Sequence, residues 1–279
     1  MDGLIKSSTF NFSRMLFGDG TGTLGVVADI TDGVVSLKEG NVPLVEGMVV
    51  DFYTADGAAI STACGRRIIK VDRVNRKITL SGATLDESNV PENSLVIASG
   101  SYNNELTGLK KLFNKAEDTI YGLDKSQNSW LNPYVQDSIG DITEEKLQRA
   151  IDEIEEASGS APNFIICSWG VRRALQKLFA ESNTRIDTMN LAGGYTAMSY
   201  NGIPIVVDRF CPKGTIYMLN TNDFALHQLC DWQWLTGDDG RVLKQIPGKP
   251  VYTATLVKYA ELLCSRPCGQ GMLTGVSES

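Results

Sequence analysis

At 279 residues the chain is long enough for one large domain or two modest ones with a substantial core. Its composition, 42% hydrophobic and 21% charged, is that of an ordinary globular protein, so disorder is not the default. With 26 Lys+Arg against 33 Asp+Glu the formal net charge is −7, and no lysine/arginine cluster stands out, which argues against a protein whose main task is gripping a phosphate backbone.

The opening stretch GLIKSSTFNFSRMLF carries Leu4, Phe12 and Leu16, and less regularly Ile5, Met15 and Phe17, at helical spacing. The glycine-rich GDGTGTLG follows, and Gly20-Thr-Gly22-Thr-Leu-Gly25 satisfies G-x-G-x-x-G. A dinucleotide cradle needs a strand before the glycines and a helix after them, so that pyrophosphate meets free N–H groups at the helix start. Here the order is inverted, helix first and β-branched runs after. Gly18, Gly20 and Gly22 therefore read as a structural loop, with a glycine just past the helix in the C-cap place.

Residues 25–104 are β-rich. LGVVADI, GVVSLK, GMVVDFY, RRIIKVDRV, RKITLSG and SLVIAS are candidate strands of a small antiparallel barrel or sandwich. Two of these runs flank Asn75-Arg76 as in a hairpin. From residue 105, ELTGLKKLFNKAEDTIYG reads as helix-like. The clearest helix is DITEEKLQRAIDEIEEASG, with Asp141 as N-cap, Glu144 three residues on, an apolar stripe of Leu147, Ala150, Ile151 and Ile154, and Gly159 at the C-cap. Its paired carboxylates, Glu144/Glu145 and Glu155/Glu156, lie opposite the stripe on a solvated face.

APNFIICS reads as a buried strand and SWGVRRALQKLFAES as the helix after it, N-capped by Ser168. Ser168 is not a nucleophile elbow, since G-x-S-x-G is absent. The last third is again β-like: YNGIPIVVDRF, GTIYMLN, WQWLT, GRVLKQI and VYTATLVKYAELLCS. Asp238-Asp239-Gly240 marks a tight turn without the further ligands of a calcium loop.

Candidate chemistry is sparse. His227 is the only histidine, and no motif surrounds it. The six cysteines (Cys64, Cys167, Cys211, Cys230, Cys264 and Cys268) form no C-x-x-C, so they read as reduced thiols rather than metal ligands. No catalytic residue, cofactor-binding residue or metal ligand is expected. No apolar run reaches membrane-spanning length, and no membrane partner is expected.

The order of the segments resembles the major capsid proteins of tailed phages. NFSRMLFGDGTGTLG is similar to the end of their spine helix and its glycine loop, and NFIICSWGVRRALQKLF to their axial strand–helix unit. Tyr200-Asn-Gly-Ile-Pro-Ile-Val-Val-Asp208 with Pro212-Lys-Gly214-Thr-Ile-Tyr-Met-Leu-Asn220 resembles their C-terminal signature, and YTATLVKYAELLCSRPCGQGMLTGV their closing strand and return. The resemblance implies an α+β Hong Kong 97-type fold, a peripheral domain with a spine helix and an axial domain, carrying an inserted small all-β domain. The implied divisions are 1–24 (end of the spine helix), 25–104 (insertion), 105–236 (axial domain with an adjoining peripheral helix), 237–262 (peripheral strands) and 263–279 (return to the axial domain).

The implied function is that of a head subunit, not an enzyme, which assembles with itself in pentamers and hexamers around double-stranded DNA without sequence-specific binding. Scaffolding and portal proteins are the further implied partners, and the virion is the implied location, by way of the host cytoplasm. The resemblance places Gly193, Gly194 and Tyr195 where axial copies meet. The chain reads as starting inside the spine helix, without the arm and extended loop of the family, which implies small rings in equilibrium with monomers rather than complete shells. The alternatives are an encapsulin-like nanocompartment shell and a nucleotide-binding enzyme built on residues 18–25.

Overall fold

The computed structural model describes residues 2–38, 44–181, 187–190, 196–237 and 240–278. Helix α1 (Asp2–Met15) opens the chain. Past it, the N–H groups of Phe17 and Gly18 donate to the carbonyls of Arg14 and Met15, a tightened last turn. The left-handed backbone falls on Gly20 and Gly22 (φ +86° and +79°), not on Gly18, so the glycine cap expected at the helix end is displaced into the loop.

Six strands then close into an antiparallel barrel: β1 (Thr23–Thr31), β2 (Val34–Leu37), β3 (Val49–Tyr53), β4 (Arg66–Asp72), β5 (Lys77–Leu80) and β6 (Leu95–Ala98). Their order is β1-β2-β5-β4-β3-β6, with β1 paired to both β2 and β6, so no edge is left open. Val27, Val35, Val50, Phe52, Ile78 and Val96 fill the interior. Asp51 is buried beside them, and its carboxylate accepts from the N–H groups of Gly65 (2.7 Å) and Gly100 (3.0 Å), which offsets its desolvation. The β4–β5 connection is a four-residue loop, 73–76, with Arg76 at φ +54°. It is wider than a two-residue turn at Asn75-Arg76 because the Asp72 carboxylate gathers the N–H groups of Val74 and Asn75.

The second body is a seven-stranded mixed sheet. Its strands are β7 (Tyr134–Gln136), β8 (Phe164–Cys167), β9 (Asp187–Asn190), β10 (Thr196–Tyr200), β11 (Ile203–Val207) and β12 (Ile216–Leu219). Between β12 and the last sheet strand the chain makes an antiparallel ribbon, β13 (Phe224–Trp234) with β14 (Leu256–Cys264), before returning as β15 (Gly271–Leu273). The sheet order is β9-β10-β11-β8-β12-β15-β7.

Helices α2 (Glu144–Ser158) and α3 (Trp169–Glu181) cover one face of this sheet. Leu147, Ala150, Ile151 and Ile154 of α2 and Val171 and Leu175 of α3 meet Ile165, Ile216 and Met218 in one core. The alternate residues of β12, Tyr217 and Leu219, face the other way into a second layer with Leu109, Leu112, Phe113, Leu131 and Cys264. Strand β12 is thus buried on both faces. Phe17 reaches Tyr217 at 6.1 Å and Phe10 stands edge-on to Phe210 at 5.0 Å, which ties α1 to this layer.

Two helix expectations change. Thr143, not Asp141, N-caps α2, accepting from the N–H of Lys146 at 3.3 Å, while Gly159 at φ +73° ends it as expected. The segment 105–122 is mostly not helical: only Leu109–Leu112 makes a turn. Leu109, Leu112 and Phe113 supply one turn of buried apolar spacing, after which Asn114 folds its side chain onto the N–H of Ala116 and competes with the helix.

Candidate subunit interfaces

The glycine loop is a neck where the chain enters and leaves the barrel. The carbonyl of Gly20 accepts from the N–H of Glu105 (3.3 Å), and that of Thr21 from the N–H of Asn103 (3.0 Å). A Cβ on Gly22 would lie 2.7 Å from the carbonyl oxygen of Ser101, so only glycine admits the returning strand. Gly108 is pressed as closely against the carbonyls of Met15, Leu16 and Gly18. Arg14 grips Glu105 through both guanidinium nitrogens, Nη1 to Oε2 at 2.8 Å, and both side chains are buried. Burial pushes the Asp19 carboxyl up, but the ammonium of Lys110 at 2.6 Å and the hydroxyl and N–H of Thr21 outweigh it and hold the carboxyl below its usual range. Strand β1 rather than a helix follows the glycines. This is the geometry of a crossing point, and it lacks the helix start that a phosphate cradle requires.

The ribbon lies along α1. Phe12 stands edge-on to Trp232 at 6.2 Å, and the Lys258 ammonium sits 5.3 Å from the Phe12 ring and 5.7 Å from that of Trp232, ion-paired to Asp231. Glu261 accepts from the N–H of Thr107 at 2.7 Å, joining the ribbon to the neck. Away from these contacts the ribbon is bare. Leu229 is 88% exposed and Tyr259 56%, and Leu235, Leu243, Val251 and Tyr252 continue the apolar exposure toward its far end. His227 is exposed too, opposite Glu261 in register. The ladder shifts register on both sides of Cys230.

At the sheet, the carboxylate of Glu278 sits over the start of α3. It accepts from the Ser168 hydroxyl and from the N–H of Gly214 at 2.9 Å, while Ser168 also accepts from the N–H of Val171 as the N-cap. Strands β9 and β10 form the outermost hairpin of the sheet; Gly193, Gly194 and Tyr195, between them, lie outside the described residues. Cys167, Cys211 and Cys264 are buried, and burial pushes the thiols of Cys167 and Cys264 up to about 12, so they stay protonated. All six cysteines are free, and no group of three or more potential metal ligands occurs among the described residues.

The family model for the SU10 major capsid protein matches residues 90–239, from the last barrel connection through the sheet and along β13. The chain belongs to the SU10 major capsid protein family. Among solved structures, the fold is similar to a chain of the cyanophage A-1(L) capsid asymmetric unit, with 16% identity, a TM-score of 0.48, and coverage of 63% of this chain and 61% of that one. It is also similar to a chain of the holo-SrpI encapsulin complex from Synechococcus elongatus PCC 7942, with 16% identity, a TM-score of 0.41, and coverage of 60% of each chain. The capsid protein therefore spans about three-fifths of these structures' chains. No curated protein sequence matches it.

Sequence reading located the neck glycines but missed the pair that closes the neck, Arg14 with Glu105, which are far apart in the chain and joined only by the fold. It also broke the ribbon into fragments. Only the WQW of WQWLT belongs to a strand, the end of an eleven-residue one whose first half, FALHQLC, alternates too weakly to signal a sheet with two exposed faces.

Proposed function

We propose that the chain is a shell-forming head subunit of the Hong Kong 97 type, which assembles with its own copies in rings of five and six around double-stranded DNA. In this reading α1 and the ribbon are the peripheral domain, the seven-stranded sheet with α2 and α3 is the axial domain, and the barrel is an insertion hung on the neck. Gly193, Gly194 and Tyr195 are then a contact around the ring axis. Assembly takes place in the host cytoplasm with scaffolding and portal proteins as transient partners.

The observation that carries the reading is the ribbon. The two ribbon strands expose Leu229 and Tyr259, and the segment joining them exposes Leu235, Leu243 and Tyr252, an apolar surface of the kind that a neighbour covers. A subunit that works through repeated interfaces needs such surfaces and a rigid core, and no reaction centre.

Electron microscopy and sedimentation of the purified chain test it. Rings of five or six copies, or closed shells, are the expected particles. A strictly monomeric species at high concentration overturns the assembly reading, and co-purifying enzymes inside closed particles would replace the phage head by a nanocompartment.

A further inference from the structure

The fold concentrates on one hairpin a charge that the sequence spreads over a dozen positions. Between Arg66 and Lys77 stand six cations (Arg66, Arg67, Lys70, Arg73, Arg76 and Lys77) and one acid, in a chain whose net charge is −7. Strands β4 and β5 turn Ile68 and Ile78 into the barrel and leave Arg67, Ile69, Lys70 and Lys77 exposed on the outside, with Arg73 and Val74 at the tip. Asp72 does not neutralise them by contact, because its carboxylate is held by the N–H groups of Val74 and Asn75 and by the Asn75 amide. Arg66 serves the barrel by donating to the carbonyls of Thr62 and Ser81, and Arg73 donates to that of Leu44. Among the described residues no ion pair engages Arg67, Lys70, Arg76 or Lys77.

We propose that this hairpin docks on the outward face of α2 in a second copy of the chain. From Asp141 to Ser158 the sequence carries seven acids and two bases, so its formal charge is opposite and equal to that of the hairpin. At about 100° per residue, Asp152 and Glu156 fall roughly 20° to either side of Glu145, opposite the buried Leu147–Ile154 stripe, and all three are exposed. Their row is about 16 Å long at ~1.5 Å per helical residue, against about 20 Å for β4 at ~3.3 Å per strand residue. Sign and length match.

A protein partner fits better than nucleic acid because Ile69 (57% exposed) and Val74 (90% exposed) stand among the cations. Burying them strengthens a contact with a protein surface and adds nothing against a phosphate backbone. Hairpin and acceptor helix lie on different parts of the same chain, so the contact is heterologous and repeats from copy to copy. The inference rests on the self-assembly reading above.

A charge swap tests it in the full chain. One variant carries Arg67→Glu, Lys70→Glu and Lys77→Glu, the other Glu145→Lys, Asp152→Lys and Glu156→Lys; circular dichroism and thermal melts establish that both fold. Each alone is expected to lose about tenfold or more in self-association by sedimentation velocity, and wild-type association is expected to weaken as salt rises. An equimolar mixture of the two should recover association, since each hairpin then meets a helix of opposite charge. Variants that associate like wild type, or a mixture that stays as dissociated as its components, overturn the contact while leaving assembly intact. A hairpin variant that keeps self-association but loses binding to a duplex DNA oligonucleotide assigns the patch to nucleic acid instead. A wild-type chain that never associates removes the assembly reading and the contact with it.

Discussion

The buried pair at the neck sets a measurable limit on how firmly α1 is held. The side chains of Arg14 and Glu105 are only 6% and 1% exposed, and they are each other's charged partner. Arg14→Met leaves the Glu105 carboxylate buried with no cation beside it, a situation that costs about 3–5 kcal/mol. Replacing both, as Arg14→Met with Glu105→Leu, removes the stranded charge and should recover most of that loss, because a buried ion pair is worth little more than an apolar pair of similar size. Amide hydrogen exchange over α1 is the assay, since the pair joins this helix to the segment leaving the barrel. At tenfold per ~1.4 kcal/mol, the single substitution should speed α1 exchange by roughly two orders of magnitude or more, with barrel amides such as those of β1 and β6 largely unchanged. Exchange over α1 within about threefold of wild type in Arg14→Met, or a double variant no better than the single one, would refute the reasoning.

Three further outcomes follow from local geometry. Gly22→Ala forces an L-residue to φ +79° with its Cβ 2.7 Å from the Ser101 carbonyl, and should cost about 2–3 kcal/mol, read as a lowered melting temperature of the barrel. Thr143→Ala should cost about 1 kcal/mol by removing the α2 cap, while Asp141→Ala stays within ~0.5 kcal/mol; the reverse order in denaturant titrations would restore Asp141 as the cap. Asp19 has a carboxyl held below its unfolded value, so its stabilisation is fully present above the unfolded pKa and is lost as pH falls through the folded one; Asp19→Asn should therefore be less stable at neutral pH and lose less on acidification below about pH 4.

What was legible in the sequence follows from how local its causes are. The barrel strands appear in the sequence as alternating β-branched runs, because each strand presents one face to a core filled by Val27, Val35, Phe52 and Ile78. Helix α2 is equally plain, its stripe and Gly159 being set within eighteen residues. The segment after residue 105 misled because Leu109, Leu112 and Phe113 carry helical spacing for a single turn. Packing against Tyr217 and Leu219 holds that turn, and the Asn114 side chain, bonded to the N–H of Ala116, competes with its continuation. The hairpin charge was present in the sequence and went unseen there: interleaved with Ile68, Ile69 and Val71 it looks like an ordinary amphipathic strand, and only the pairing of β4 with β5 brings Lys70, Lys77 and Arg67 onto one outer surface. The Arg14–Glu105 pair had no sequence signal at all, since nothing local links two residues so far apart.

These contacts converge on α1. Its Phe10 touches Phe210 beside the sheet, its Phe12 touches Trp232 and Lys258 of the ribbon, and its Arg14 holds Glu105 at the root of the barrel. One helix of fourteen residues thus fixes the basic hairpin's carrier, the exposed ribbon and the acidic helix's sheet to a common support. A docking contact that pulls on the hairpin is transmitted to the neck, where Gly22 and Gly108 leave no slack between backbones. The barrel cannot then swing freely about a flexible linker, and a hairpin held at a set orientation loses less freedom when it binds than one on a loose tether. If the neck is what gives the hairpin its aim, Gly22→Ala should weaken self-association as well as lower the melting temperature, and restoring charge complementarity in the swapped pair should not rescue that loss.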